Sequence, residues 1–162
     1  MRRLAAVLVS LPALAAPLPP EAPRLQLRLE GLFGQPTSNL GVRGGLSVGA
    51  GYRMTDQVWL IGDAAQRAAP GGGIGSLALG LQATFDATPI SPYLELAMVD
   101  LSNRSALGYS LAARTGLGAD WMFSRAAGLG IVVRSYTAFD SDSPTVTGLE
   151  AAIRLVLNPG AL

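Results

Sequence analysis

Ten charged residues stand where chemistry is conceivable: Arg28, Glu30, Arg43, Asp63, Glu95, Arg114, Asp120, Arg134, Glu150 and Arg154. Five are arginines and five are carboxylates. Two carboxylates held close together can divide into an acid and a base. Charges lining a path can pass a polar solute. Opposite charges can also simply neutralise one another as a structural plug. Two further candidates lie in connecting segments. Asp140 and Asp142 form a carboxylate pair, but a calcium cage takes about six to eight oxygen ligands. Ala68 to Gly75 (AAPGGGIG) is glycine-rich, yet neither a Lys nor a helix pattern follows, as a phosphate cradle would require. The chain contains no His and no Cys. That removes every His-based triad, Cys nucleophiles, imidazole and thiolate metal sites, and disulfides. The expectation is a protein that is not an enzyme and has no cofactor or metal, with the ten charges serving as a structural network.

Composition sets the frame for that network. The 162 residues suffice for one domain, and 49% are hydrophobic against 14% charged, which excludes a disordered chain. Twelve basic residues, all arginine, oppose eleven acidic ones for a net charge of +1. No basic field exists for nucleic acid, so none is expected as a partner. Twenty Gly and eleven Pro favour turns and strands over long helices.

The elements that must position the charges have a period of two. Leu25, Leu27, Leu29 and Phe33 share one parity; Gln26, Arg28 and Glu30 share the other. A strand sends such alternating residues to opposite faces, whereas a helix would scatter them. The same alternation predicts strands over 40–52, 58–66, 76–85, 93–101, 109–123, 128–139 and 146–157, making eight in all. Short connectors, including 54–56, 86–92 and 124–127, imply antiparallel hairpins. The expected fold class is all-β: an eight-stranded antiparallel up-and-down barrel, closed so that no edge is left exposed.

The solvent of the barrel follows from which face is apolar. The strands approach the roughly 10 residues that cross a hydrocarbon layer when tilted. The non-apolar face carries Gly, Ala, Ser and isolated charges, which suits a narrow packed lumen better than a wet surface. Aromatics gather at strand ends: Tyr52, Trp59, Phe85, Tyr93, Trp121 and Phe123 toward one rim, and Phe33, Tyr109, Tyr136 and Phe139 toward the other. Two such girdles are expected at membrane–water interfaces, although the parity of Trp59 and Tyr93 places them with Asp63 and Glu95. The expectation is a transmembrane barrel with the ten charges inside. The alternative is a secreted soluble barrel whose apolar interior binds a small hydrophobic ligand.

Gly49 to Gly62 (GAGYRMTDQVWLIG), Ser91 to Leu96 (SPYLEL) and Gly116 to Tyr136 (GLGADWMFSRAAGLGIVVRSY) have the form of strand, short turn and strand hairpins. In these stretches, and diffusely over 24–157, the chain resembles the small eight-stranded outer-membrane β-barrel family, similar in plan to outer membrane protein A and its porin-like relatives. The resemblance implies a bacterial outer-membrane location. The role it implies is structural in the envelope, or at most restricted porin-like passage of solutes. It also implies outer-membrane lipid as surroundings, with barrel-assembly and periplasmic chaperone machinery as partners. Barrels of this class that hydrolyse lipid or peptide with a His base have no counterpart here. The family usually ends on an aromatic residue, whereas this chain ends Leu157-Asn158-Pro159-Gly160-Ala161-Leu162.

The N-terminal segment reads as an address rather than as structure. Met1-Arg2-Arg3 is a short positive head, Leu4 to Leu11 an apolar run, and Ala13-Leu14-Ala15 a small-x-small cleavage pattern. The run falls short of the ~20 residues a spanning helix needs. The expected organisation is a signal peptide over 1–15, a Pro-rich spacer over 16–23 and a barrel over 24–158.

Overall fold

The computed structural model describes residues 24–35, 43–69, 72–85, 90–103, 109–139 and 145–161. The signal peptide and spacer assigned from sequence, and the Asp140/Asp142 pair, lie outside them. Eight strands follow one another: β1 (Leu25–Gln35), β2 (Arg43–Arg53), β3 (Val58–Ala69), β4 (Gly72–Thr84), β5 (Ile90–Asn103), β6 (Tyr109–Met122), β7 (Ala127–Ala138) and β8 (Thr145–Leu157). Each is antiparallel to its sequence neighbour, and β8 pairs back onto β1 to close the ring. Closure gives the backbone N–H and C=O groups of every strand a partner on both sides, which a structure bathed in lipid must achieve.

The register is staggered around the ring. From Leu27, the pairs run Ala50, Gly62, Leu79, Met98, Ala113, Thr137 and Val146. Yet β1 meets β8 with Leu27 opposite Leu157. That displacement means the strands are tilted against the barrel axis. One irregularity, between Tyr136 and Thr137, interrupts the β7–β8 ladder. Gly34 takes a φ of 131°, a conformation side-chain-bearing residues rarely adopt, and a Cβ there would meet the Leu149 carbonyl oxygen at 2.5 Å. Glycine is therefore required at that point.

One rim holds the start of β1, the end of β8 and the β2–β3, β4–β5 and β6–β7 connections; it is called the terminal rim here, and the other the distal rim. Hydroxyl side chains shape two of these connections. Thr55 Oγ1 accepts from the Val58 N–H at 3.0 Å, and Ser124 Oγ accepts from the Ala127 N–H at 2.9 Å. Such local bonds replace ladder bonds where the chain reverses.

Strand boundaries depart from the sequence reading in two informative places. Ala68 to Gly75 was expected to be a loop, but β3 continues to Ala69 and β4 begins at Gly72, with Ala68 opposite Gly73. Glycine weakens strand propensity without removing the N–H and C=O that pair, and ring closure supplies the pairing partners. For the same reason β5 starts at Ile90, inside the expected connector.

The polarity is inverted relative to a water-soluble barrel. Leu46, Val48, Leu77, Leu79, Leu117, Ile131 and Leu149 are each more than 60% exposed on the outer face. Arg28, Glu30, Glu95, Arg114, Asp120, Arg134, Glu150 and Arg154 are buried inside. A continuous apolar belt of this kind is incompatible with water and suited to lipid. It turns polar toward the distal rim at the exposed Gln66 and Asp100. The soluble ligand-binding alternative required the apolar face to point inward, and the opposite holds. The aromatic girdles need correction as well. Tyr52, Phe85, Trp121, Phe123, Phe33 and Phe139 are exposed, but Trp59, Tyr93 and Tyr136 are buried in the lumen, where parity rather than residue type directs them. The Tyr109 side chain lies outside the described residues.

A closed ladder with an outer apolar belt should resist SDS until heated. Unboiled protein is expected to migrate apart from boiled protein on gels, and to stay with the membrane fraction through a carbonate or urea wash. Release into the wash without a mobility shift would contradict the inverted polarity.

Candidate functional site: the charged lumen

The inward faces of the strands carry charged or large polar side chains, three of them on β1 (Gln26, Arg28 and Glu30), and the stagger stacks them in layers along the axis. Nearest the terminal rim, Arg154 on β8 donates through Nε to Asp120 Oδ1 on β6 at 2.6 Å, and its Nη2 also pairs with Asp120. The same guanidinium lies 4.0 Å from the centre of the Tyr93 ring, and its Nη1 reaches Gln82 Oε1 at 3.4 Å. Cation, carboxylate and aromatic face thus satisfy one another in a single layer.

The middle layer is built around Arg134 on β7. It donates to both oxygens of Glu30 on β1, at 2.5 and 2.8 Å, and through Nε to Glu95 Oε1 on β5 at 2.5 Å. Arg114 on β6 makes a two-pronged contact with Asp63 on β3, at 3.0 and 2.6 Å. Its Nε lies 3.3 Å from Glu95 Oε1, an ion pair lacking hydrogen-bond alignment. Glu95 is therefore shared by two arginines. The Arg134–Glu30, Arg134–Glu95 and Arg114–Asp63 contacts join strands that are not neighbours in the sheet, whereas Arg114 and Glu95 stand on the adjacent β6 and β5.

Toward the distal rim a third layer joins β3, β4, β7 and β8. Arg67 Nε donates to Glu150 Oε2 at 2.6 Å, its Nη1 to Ser76 Oγ at 2.7 Å and its Nη2 to the Tyr136 hydroxyl oxygen at 3.1 Å. The Tyr136 hydroxyl in turn donates to Glu150 Oε1 at 2.8 Å. The Tyr136 ring also belongs to a buried apolar cluster that includes Val99, Leu101 and Ala112.

Of the ten residues singled out from sequence, Glu30, Asp63, Glu95, Arg114, Asp120, Arg134, Glu150 and Arg154 meet in these layers. Arg28 is buried but joins no carboxylate; its Nε donates to Gln26 Oε1 at 2.8 Å. Arg43 belongs to β2 by backbone, opposite Gly34, and its side chain lies outside the described residues. Sequence reasoning missed Arg67, because the third strand was ended at Gln66. Arg67 shares the parity of Asp63, so one more residue of alternation would have found it. Gln26, Ser76, Gln82, Tyr93 and Tyr136 carry the same inward parity and complete the network.

Large inward side chains need room, and glycines opposite them provide it. Gly116 pairs with Glu95, and a Cβ there would lie 2.5 Å from Glu95 Cγ. Gly118 pairs with Tyr93, and Gly130 with Asp120; a Cβ at either would run into the side chain across the ladder. Among the described residues no group of three or more metal-ligating side chains comes together. Acid–base work would need a carboxylate free to exchange protons, and each carboxylate in the network is tied to an arginine.

Burial fixes the expected cost of breaking the network. Glu95→Ala leaves Arg134 held by Glu30 and Arg114 held by Asp63, and should cost about 1.5–3 kcal/mol, the worth of a lost hydrogen bond between charged groups. Loss of the heat-resistant band at lower urea concentration than in the parent protein would measure it; an unchanged midpoint would refute the plug. Gly118→Val should displace the Tyr93 ring and cost about 1–3 kcal/mol by overpacking, read as a lower thermal midpoint in detergent.

No protein-family model and no curated protein sequence matches the chain. Solved structures do. Neisserial surface protein A is similar with a TM-score of 0.58 at 15% identity, covering 83% of this chain and 95% of its own. The N-terminal β-barrel domain of OprF from Pseudomonas aeruginosa gives 0.62 at 13% identity, covering 82% and 96%. A transmembrane β-barrel of de novo design gives 0.59 at 13% identity, covering 84% and 95%. With these likenesses and its inverted polarity, the chain is an eight-stranded membrane barrel with the fold of the small outer-membrane β-barrels.

Proposed function

We propose that this protein is an exported, integral component of the bacterial outer membrane with a structural role in the envelope, that it is not catalytic, and that it passes solutes at most in a restricted way. The observation carrying this reading is the Arg134 bridge. A guanidinium bound to Glu30 on one wall and Glu95 on another crosses the lumen at mid-height, and the Arg154–Asp120 and Arg67–Glu150 layers close it below and above. Eight strands enclose a space just wide enough for side chains to fill. A solute larger than water would have to break charge-assisted bonds to pass.

In this reading the terminal rim faces the periplasm and the apolar belt is covered by outer-membrane lipid. An outer surface this apolar has to be kept from water between export and insertion, which calls for periplasmic chaperones and the barrel-assembly machinery as partners.

Reconstitution into planar bilayers tests the proposal. Wild-type protein should give no sustained conductance, and liposomes carrying it should not swell in a small sugar. A steady, ion-selective conductance would replace the envelope reading with a porin-like one. Turnover of phospholipid or lipopolysaccharide by the purified barrel would overturn the non-catalytic assignment.

A further inference from the structure

Among the described residues five arginines are buried in the lumen, and four of them end on carboxylates. Arg28 does not. Its side chain is 6% exposed, its Nη2 has no hydrogen-bond partner, and its Nε is held only by the neutral Gln26 carbonyl. The arrangement is informative because Arg67 and Arg154 use the same edge of the guanidinium. There the Nε and Nη2 donors together grip one carboxylate, Glu150 and Asp120 respectively. In Arg28 that fork is half filled, and by an uncharged oxygen. A buried guanidinium with an idle donor is costly, whereas two parallel N–H donors are the geometry that carboxylates and phosphates accept.

The surroundings add positive charge. Arg28 turns toward the terminal rim, with Nη2 packed where a Cβ on Gly51 would lie 3.0 Å away, beside the Trp59 ring. Arg53 lies over that ring, its guanidinium carbon 5.7 Å from the ring centre. Directly across the β1–β2 ladder from Arg53 stands Arg24, whose carbonyl accepts the Arg53 N–H at 2.8 Å. Like charges opposite one another on two strands repel. Among the described residues, the carboxylates around Arg28 are already held elsewhere, Glu30 by Arg134, Glu95 by Arg134 and Arg114, and Asp120 by Arg154, and the partly exposed Asp56 stands 3.7 Å from Arg53.

We propose that Arg28, with Arg53 across the Trp59 ring from it and Arg24 further out at the terminal rim, is a binding site for a phosphate-class oxyanion. The anion takes the Nε/Nη2 fork in place of the Gln26 carbonyl and offsets the Arg24–Arg53 repulsion. The phosphate belongs either to a free solute or to the headgroup of an anionic lipid packed at the rim.

The test uses the full barrel folded in zwitterionic detergent. Inorganic phosphate is titrated at constant ionic strength against sodium chloride, with the thermal midpoint and calorimetric binding as readouts. The decisive variant is Gln26→Glu, which fills the fork with an internal carboxylate and removes no buried cation, so the barrel should fold and show its usual gel shift. Phosphate should bind the wild type and bind Gln26→Glu about tenfold or more weakly, the worth of one charge-assisted bond. Arg28→Gln should lose binding equally, while Arg125→Gln, in the exposed β6–β7 turn, should keep it. A second arm compares vesicles of phosphatidylglycerol with phosphatidylcholine. A midpoint raised by phosphatidylglycerol in the wild type but not in Gln26→Glu, without a response to free phosphate, assigns the anion to a lipid headgroup. Equal responses of wild type and Gln26→Glu to both probes overturn the proposal and leave the fork to water.

Discussion

A guanidinium shut inside a tube of eight strands has no bulk water to turn to, and Arg134 meets that constraint by bridging Glu30 and Glu95 across the barrel. Much else follows from it. The carboxylates must come from β1 and β5, so the register of strands far apart in sequence has to bring positions 30, 95 and 134 to one height. Glu95 must also serve Arg114, which ties the β3 carboxylate of Asp63 into the same layer. Desolvation nearly cancels the attraction in such buried pairs. The network therefore contributes little net stability, but it penalises any register in which a charge loses its partner.

The exclusive use of arginine fits this role. Each guanidinium offers several donors in one plane, so a single side chain can hold two groups at once, as Arg67 holds Glu150, Ser76 and Tyr136. An ammonium would present a compact, strongly hydrated charge less suited to bridging. Outside, the balance is simpler. The leucine, valine and isoleucine belt has no interior to enter, because the interior is already full, and lipid is the solvent that suits it.

Much of this was legible in the alternation of residues. Eight antiparallel strands, their closure and the side facing lipid all follow from period-two patterning and the scarcity of polar residues on one parity. Legibility ended where residue type and position conflicted. Trp59, Tyr93 and Tyr136 sit near strand ends like girdle aromatics, yet parity turns them inward, and parity decides. The strands flanking Pro70 were under-read because glycine and alanine carry a weak strand signal, and that hid Arg67. Which arginine meets which carboxylate was not legible at all. Arg114 finds Asp63 and Arg67 finds Glu150 across non-adjacent strands, and those meetings depend on the stagger of the ring, which no local window of sequence encodes.

The glycines at 116, 118 and 130 give the barrel wall an uneven thickness, with bulk supplied by Glu95, Tyr93 and Asp120 on the strand across the ladder and bare backbone facing it. Within each pair the total volume is capped, so a side chain can be enlarged on one strand only if its partner shrinks. Over evolutionary time positions 95 and 116, 93 and 118, and 120 and 130 would be bound to drift together, each pair inherited as one unit.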